Sequence, residues 1–131
     1  MTRSEIATLI AGIGLPNAYN HFSKDESPSG PPFILFYYPA LDDFFADNIN
    51  YASIAELVVE FYTDNVDFTK EAAIEAALNG ADLAFSMSRD WIDDERMYQT
   101  TYVTSVLLTD EPPAPPDDTE NNTEVLEPNG E

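Results

Sequence analysis

The sequence feature that most constrains the fold is the six-residue run Phe33 to Tyr38, FILFYY, which directly follows Pro31-Pro32. This run is apolar at both odd and even positions and rich in aromatic side chains, a pattern typical of a strand inside a covered sheet. Both faces of such a strand need cover. The run therefore predicts a domain built around a β-sheet, with other elements packed on it.

Three more segments alternate with a period near two, which indicates strands with one buried face. In residues 51–63 Glu56 and Glu60 are among the even positions, whereas the apolar odd positions are Tyr51, Ala55, Leu57, Val59 and Phe61. Residues 83–91 and 98–108 alternate in the same way, and Asp93-Asp94-Glu95 between them suits a hairpin turn. These segments predict three further strands, the last two of them antiparallel.

Two helices are predicted from their start and stop signals. Thr2 and Glu5 have capping-box spacing and precede apolar residues at helical intervals, while Gly14 and Pro16 follow as stop signals. Asp67 can cap a second, alanine-rich helix that ends at Gly80 in a left-handed conformation. A polar loop, residues 23–30, separates the first helix from the first strand.

The fold class predicted is therefore α+β, with the order α-β-β-α-β-β. A mainly antiparallel four-stranded sheet is packed by the helices in one domain, residues 1–109. Residues 110–131 hold eight acids, no bases, five of the ten prolines and two aliphatic residues, too few to bury a core. We expect a disordered, acidic, proline-rich tail there, and the remaining charge of −12 belongs to the domain.

The net charge disfavours direct binding to nucleic acids and to anionic membranes. With 25 acidic and 5 basic side chains the formal charge is −20, which repels nucleic-acid phosphates and anionic membrane surfaces. No apolar run has signal-peptide or membrane-span character, so we expect a soluble protein. The match to a glycosylation motif at Asn121 to Thr123 is expected to be accidental without a secretory signal.

Few residues offer catalytic or metal-binding chemistry. The chain has no cysteine, and His21 is its single histidine, so we expect His21 to be a loop residue and not a ligand or base. The Gly12-x-Gly14 pair lacks the further glycine and lysine of a phosphate loop and is interpreted as a helix end. We therefore expect no enzyme, no cofactor and no catalytic residue.

Two acidic clusters remain as possible sites for Ca²⁺ or Mg²⁺ through oxygen ligands. Neither has the spaced ligands and central glycine of an EF-hand, which favours solvated loops. The clusters are Asp42, Asp43 and Asp47, and Asp90, Asp93, Asp94 and Glu95.

The pair Phe44-Phe45 lies in an otherwise polar, acidic segment. Adjacent aromatic side chains in a charged loop mark a contact surface, because such residues are enriched where proteins meet. A nucleic-acid stacking platform is disfavoured because it would need basic neighbours, which this segment lacks. The pair therefore predicts a protein interface.

Several short motifs resemble a family of small proteins of long-tailed phages and prophages, the tail-terminator and neck proteins, over about residues 4–108. The motifs are Ser4-Glu5-Ile6-x-x-Leu9-Ile10, Gly14-Leu15-Pro16-x-Ala18-Tyr19, His21-Phe22, Pro31-Pro32-Phe33-Ile34, Asp43-Phe44-x-Ala46-Asp47-Asn48, Tyr51 and Glu60-x-Tyr62-Thr63-Asp64. The acidic tail departs from the family pattern.

The resemblance implies a virion subunit, made in the host cytoplasm, that forms a hexameric ring capping the tail tube and docking the head connector. Its partners would be other copies, the major tail tube protein and a head-completion protein, with genome DNA passing through unbound and no membrane involved. We place the contact with neighbouring subunits or the tube at Phe44, Phe45, Asp47, Asn48 and Tyr51.

Three alternatives stay open at this point. The chain could be a neighbouring neck protein of the same particle, or an acidic mimic of DNA that blocks the basic groove of an enzyme; both agree with the net charge. A metal-dependent carboxylate enzyme is the third, and it is disfavoured because neither acidic cluster has the geometry of a site.

Overall fold

The computed structural model describes residues 1–39, 41–42 and 53–109. The predicted tail, residues 110–131, lies outside this part of the chain, so its boundary stays a prediction. The elements in chain order are α1 (Arg3–Ala11), β1 (Asn17–Tyr19), β2 (Phe33–Tyr37), β3 (Leu41–Asp42), β4 (Ser53–Thr63), α2 (Phe68–Gly80), β5 (Phe85–Ile92) and β6 (Met97–Leu108).

The predicted element order α-β-β-α-β-β and the predicted four-stranded, mainly antiparallel sheet are both wrong. Five strands form a mixed sheet in the order β1-β2-β4-β6-β5, and β3 pairs with β4 beside this path. The strand β1 runs parallel to β2, whereas the other pairs are antiparallel. The extra strands have three and two residues, too short to show periodicity, and their pairing depends on the neighbouring strand edge and not on their own pattern.

Both predicted helices are present with the expected N-terminal caps. The Thr2 side chain accepts a hydrogen bond from the Glu5 amide, and Glu5 accepts one from the Thr2 amide, which completes a capping box. Asp67 accepts from the Lys70 amide at the start of α2. The prediction for the end of α2 is wrong in detail, because the left-handed residue is Asp82 (φ 61°) and not Gly80.

The core lies between one face of the sheet and both helices. Alternate residues of β4, namely Ala55, Leu57, Val59 and Phe61, are fully buried, as the period of two predicted. They pack with Ile6 and Ile10 of α1, Ile74 and Leu78 of α2, Ile34 and Phe36 of β2, and Tyr102, Val106 and Leu108 of β6. We call this side of the sheet the helix face and the opposite side the outer face.

The expectation that β2 is covered on both faces is only half right. Ile34 and Phe36 are buried under the helices, but Phe33, Leu35 and Tyr37 on the outer face are half-buried. Neither helix of the described residues lies on that side, so the apolar character of the run comes from aromatic neighbours within the sheet. Neither of these helices has the length and apolarity to cross a bilayer.

Candidate interaction surface

The predicted interface residues Phe44, Phe45, Asp47, Asn48 and Tyr51 lie outside the described residues. Their segment joins two strands that are paired, since Leu41 lies opposite Ala55 and Asp42 opposite Ile54. The described residues that border this segment, Asp42 and Ser53, therefore lie at one end of the sheet. We call this the β3 end of the sheet, and it comprises β3, the start of β4 and the end of β6.

The chain termini of the described domain meet at the same end. The α-amino group of Met1 donates to the Leu107 carbonyl oxygen at 2.8 Å, and the Thr109 amide donates to the Met1 carbonyl oxygen at 3.0 Å. Thr109, the last described residue, therefore lies at the same end of the sheet as Ser53.

Two apolar side chains are exposed on the outer face at this end. Ile54 is 50% exposed and Leu107 is 53% exposed, and the two are direct cross-strand neighbours. Neighbouring apolar side chains of this size in solvent are characteristic of a contact surface. Our sequence interpretation missed both, although they occupy the outward positions of strands whose other outward residues are mostly polar.

A polar network occupies the outer face farther along the sheet. The hydroxyl groups of Tyr37 and Tyr62 each donate to a different oxygen of the Glu60 carboxylate, both at 2.7 Å. The Gln99 side-chain amide donates to the Tyr62 hydroxyl oxygen at 2.9 Å. The hydrogen bond to Glu60 raises the pKa of Tyr37 to about 12, and burial together with Glu60 raises the pKa of Tyr62.

This network holds the side chains of Tyr37, Glu60, Tyr62 and Gln99 against one another on the outer face. Both phenols stay protonated as hydrogen-bond donors, and the Glu60 carboxylate is held by two of them. The Tyr62 ring also stacks on Phe33, with 4.8 Å between ring centroids, and Phe22 meets the edge of Phe33 at 5.5 Å. Such a preorganised aromatic and polar surface suits protein contact better than proton transfer.

On the helix face, an ion pair ties α2 to the sheet. The carboxylate of Glu71 is almost fully buried and accepts from Arg89 Nε at 2.9 Å, from Arg89 Nη2 at 2.6 Å and from Thr100 Oγ1 at 2.9 Å. The bond with Arg89 is the main reason that the pKa of Glu71 lies below its ordinary value. This pair lies between α2 and the strands β5 and β6 and links the helix to the sheet.

The sequence contained a signal for this pair that our interpretation did not use. Glu71 falls on the same helical stripe as Ile74 and Leu78, which are buried. A carboxylate on an apolar stripe needs a partner on the facing element, and Arg89 is the one base in β5.

The other sequence candidates are found on exposed segments. His21 is exposed, with its Nδ1 atom 3.2 Å from the Phe22 carbonyl oxygen. Asp90 lies on β5, and Asp93, Asp94 and Glu95 form the turn before β6; all four are exposed. Within residues 1–39, 41–42 and 53–109, no group of three or more histidine, cysteine or acidic residues is arranged to hold a metal ion.

Comparison with known proteins gives a likeness in fold only. No protein-family model matches this sequence, and no curated protein matches it. Twelve chains of solved structures match. One belongs to the structure described as "Virion of native gene transfer agent (GTA) particle", with a TM-score of 0.50 and 19% sequence identity over 77% of this chain and 84% of that chain. At that identity, the two chains share a fold.

Proposed function

We propose that this chain is a structural protein of a phage-type virion, and more specifically a subunit of the tail terminator ring that caps the tail tube. The observation that carries the proposal is the fold shared with a chain of a gene transfer agent virion, which extends over most of both chains. The short motifs that resemble the tail-terminator and neck family support the same assignment from the sequence side.

These motifs coincide with elements that build and stiffen the sheet. Ile6 and Ile10, from the first motif, are fully buried under the sheet, and Ile34 of the proline motif is buried in β2. Glu60 and Tyr62, from the last motif, form the polar network of the outer face. The motifs therefore describe a fold and a surface, which is what a building block requires.

The strong negative charge fits a ring through which DNA passes. An acidic lumen does not retain phosphates, whereas a basic lumen would bind them with salt-dependent affinity. The same charge opposes self-association at low salt, because six copies of a chain with charge −20 repel one another. The ring is therefore proposed to assemble on the tail tip, without enzymatic activity or cofactor.

In this proposal the β3 end of the sheet is the docking surface. It carries the exposed Ile54 and Leu107, and the sequence that contains Phe44-Phe45 connects its strands β3 and β4. Its partners are proposed to be the major tail tube protein and, on the head side, the connector or completion protein. The protein is then found in the virion, after synthesis in the host cytoplasm.

The test is a double substitution, Phe44→Ser with Phe45→Ser, in a phage that encodes this chain. Tails and heads should form while their joining is blocked, and the purified variant should keep the circular dichroism spectrum of the unchanged protein. The matched control is Val66→Ser, which changes an apolar residue, 36% exposed, outside the β3 end. Normal yields of joined particles from the double variant would contradict the proposal.

A further inference from the structure

The strand β5 leaves one edge of the sheet open. It has eight residues and, within the described part of the chain, pairs only with β6. Its sequence FSMSRDWI has no proline or lysine to discourage pairing with another chain, and Arg89 is engaged by Glu71. Met87 and Trp91, both on the helix face of β5, are 39% and 43% exposed. This is an edge suited to pairing.

Further aromatic contacts surround Trp91. The Trp91 ring meets the edge of Tyr98 at 4.9 Å, and the Arg96 guanidinium lies 5.6 Å from the Trp91 ring centroid. Tyr98 and Arg96 therefore contact the Trp91 ring within the same copy, and almost half of the Trp91 surface is exposed to solvent. Asp90 precedes Trp91, and Asp93, Asp94 and Glu95 follow after Ile92, so acidic residues flank this aromatic residue in the sequence.

The opposite edge of the sheet has complementary features. The strand β1 pairs with β2 alone among the described residues, and Tyr19 is 51% exposed. Between α1 and these strands lies a groove of about 380 Å³. Pockets of about 300 to 1,000 Å³ hold ring-containing ligands, so an indole ring fits. The groove is lined by Arg3, Ser4, Ala7, Tyr19, Phe36 and Tyr38.

Shape, charge and direction of the two edges agree. The groove offers aromatic walls and the guanidinium of Arg3, which lies 5.8 Å from the Tyr38 ring centroid, to an aromatic side chain followed by acids. Both the groove and Trp91 lie on the helix face. Across the sheet β1 and β5 run in opposite directions, so a second copy in the same orientation meets β5 in antiparallel register.

We propose that neighbouring copies join edge to edge, with β5 of one copy beside β1 of the next and Trp91 in its groove. The inference rests on the proposed ring, because a closed ring needs two different surfaces on each subunit. It assigns the contact between copies to the sheet edges and leaves the β3 end for the tail tube.

The test uses the full chain with two substitutions that block different edges. Trp91→Asp removes the inserted side chain, and Ala7→Trp fills the groove from an exposed position of α1. Val66→Asp is the matched control, since Val66 is 36% exposed and lies between β4 and α2, outside both sheet edges and the β3 end. Sedimentation velocity is measured at about 1 M salt, where the Debye length of about 3 Å suppresses repulsion.

The unchanged chain and Val66→Asp should form closed rings, and each blocked variant alone should be monomeric, with association weakened at least about thirtyfold. An equimolar mixture of Trp91→Asp and Ala7→Trp should give a dimer with one copy of each, because one intact pair of edges remains. Melting temperatures close to that of the unchanged chain exclude unfolding as the cause.

Other outcomes overturn the inference in distinguishable ways. Rings formed equally well by both blocked variants overturn the edge contact and leave the ring proposal standing. If those rings then fail to join tails, the edges bind a different virion protein. A dimer formed by Ala7→Trp alone would show that two copies of β5 pair symmetrically. This result would also overturn the proposed contact between β5 and β1. An unchanged chain that stays monomeric even at about 1 M salt overturns the inference that the two edges alone close a ring, but not a ring that assembles on the tail tip.

Discussion

At the scale of single residues, the ion pair between Glu71 and Arg89 links α2 to β5. Glu71 accepts three hydrogen bonds, and its side chain is 4% exposed, whereas that of Arg89 is 27% exposed. A buried carboxylate costs free energy unless it is paired and hydrogen-bonded. Removing the arginine should therefore be far more costly than removing an exposed base.

We expect Arg89→Ala to lower the free energy of unfolding by about 3 kcal/mol, because it leaves the Glu71 carboxylate buried without its counter-ion. The matched control is Lys70→Ala, which breaks the more exposed pair with Asp67 at 3.1 Å and should change stability little. Urea unfolding of both variants checks this. Equal losses for the two substitutions would show that the buried pair contributes no more than a surface pair.

The same pair predicts a pH dependence. The folded pKa of Glu71 lies below its ordinary value of 4.5, mainly because of Arg89. A depressed pKa contributes stability above the unfolded value, and this contribution is lost as pH falls through the folded value. The Glu71→Gln variant lacks that contribution, so its deficit in melting temperature should shrink between neutral pH and about pH 3. A deficit that stays constant over this range would contradict the assignment.

At the scale of elements, the end of α1 depends on one backbone conformation. Gly14 has φ 92°, in the region that residues with a Cβ atom rarely adopt. A Cβ atom at Gly14 or at Gly30 would meet no other atom within 4 Å, so space does not distinguish the two positions.

We expect Gly14→Ala to destabilise the fold by about 1 kcal/mol, through backbone strain alone. Gly30→Ala, at ordinary φ, is the matched control and should be neutral or slightly stabilising, because it reduces the freedom of the unfolded chain. Thermal unfolding of the two variants tests this, and a loss shared equally by both would show that φ is not the cause.

The sequence predicted those elements whose residues carry their own signal. The caps at Thr2 and Asp67 located both helices, and the buried odd positions of β4 located the central strand. The strands β1 and β3 carry no such signal, because their pairing is decided by an edge formed elsewhere in the chain. The run at Phe33 has the sequence pattern of a strand covered on both faces. Its outward side chains are instead covered in part by aromatic neighbours on the same face, such as Tyr62 against Phe33, and such residues resemble core residues in sequence.

The candidate surfaces were harder to predict than the fold. The predicted contact at Phe44, Phe45, Asp47, Asn48 and Tyr51 stays a prediction, since these residues lie outside the described part of the chain. Exposure of Trp91 and Leu107 depends on which strands become edges and which face the helices cover. Neither property follows from the period of a strand, which identifies the more apolar face without saying whether another element covers a given position.

At the scale of the whole molecule, we propose that this protein is an acidic building block with three distinct surfaces. Two are the opposite sheet edges, proposed to join copies, and the third is the β3 end, proposed to meet the tail tube. The fold shared with a gene transfer agent virion chain supports this use of a small mixed sheet. The charge of −20 then limits assembly to places where neighbours hold the copies together.

The most direct measurement is the position of this chain in purified particles, found by electron microscopy with a label attached to the protein. If the chain forms the terminator ring, we expect one labelled ring at the junction of head and tail in each particle. Absence of the label from intact particles, or label spread along the whole tail, would contradict the terminator role.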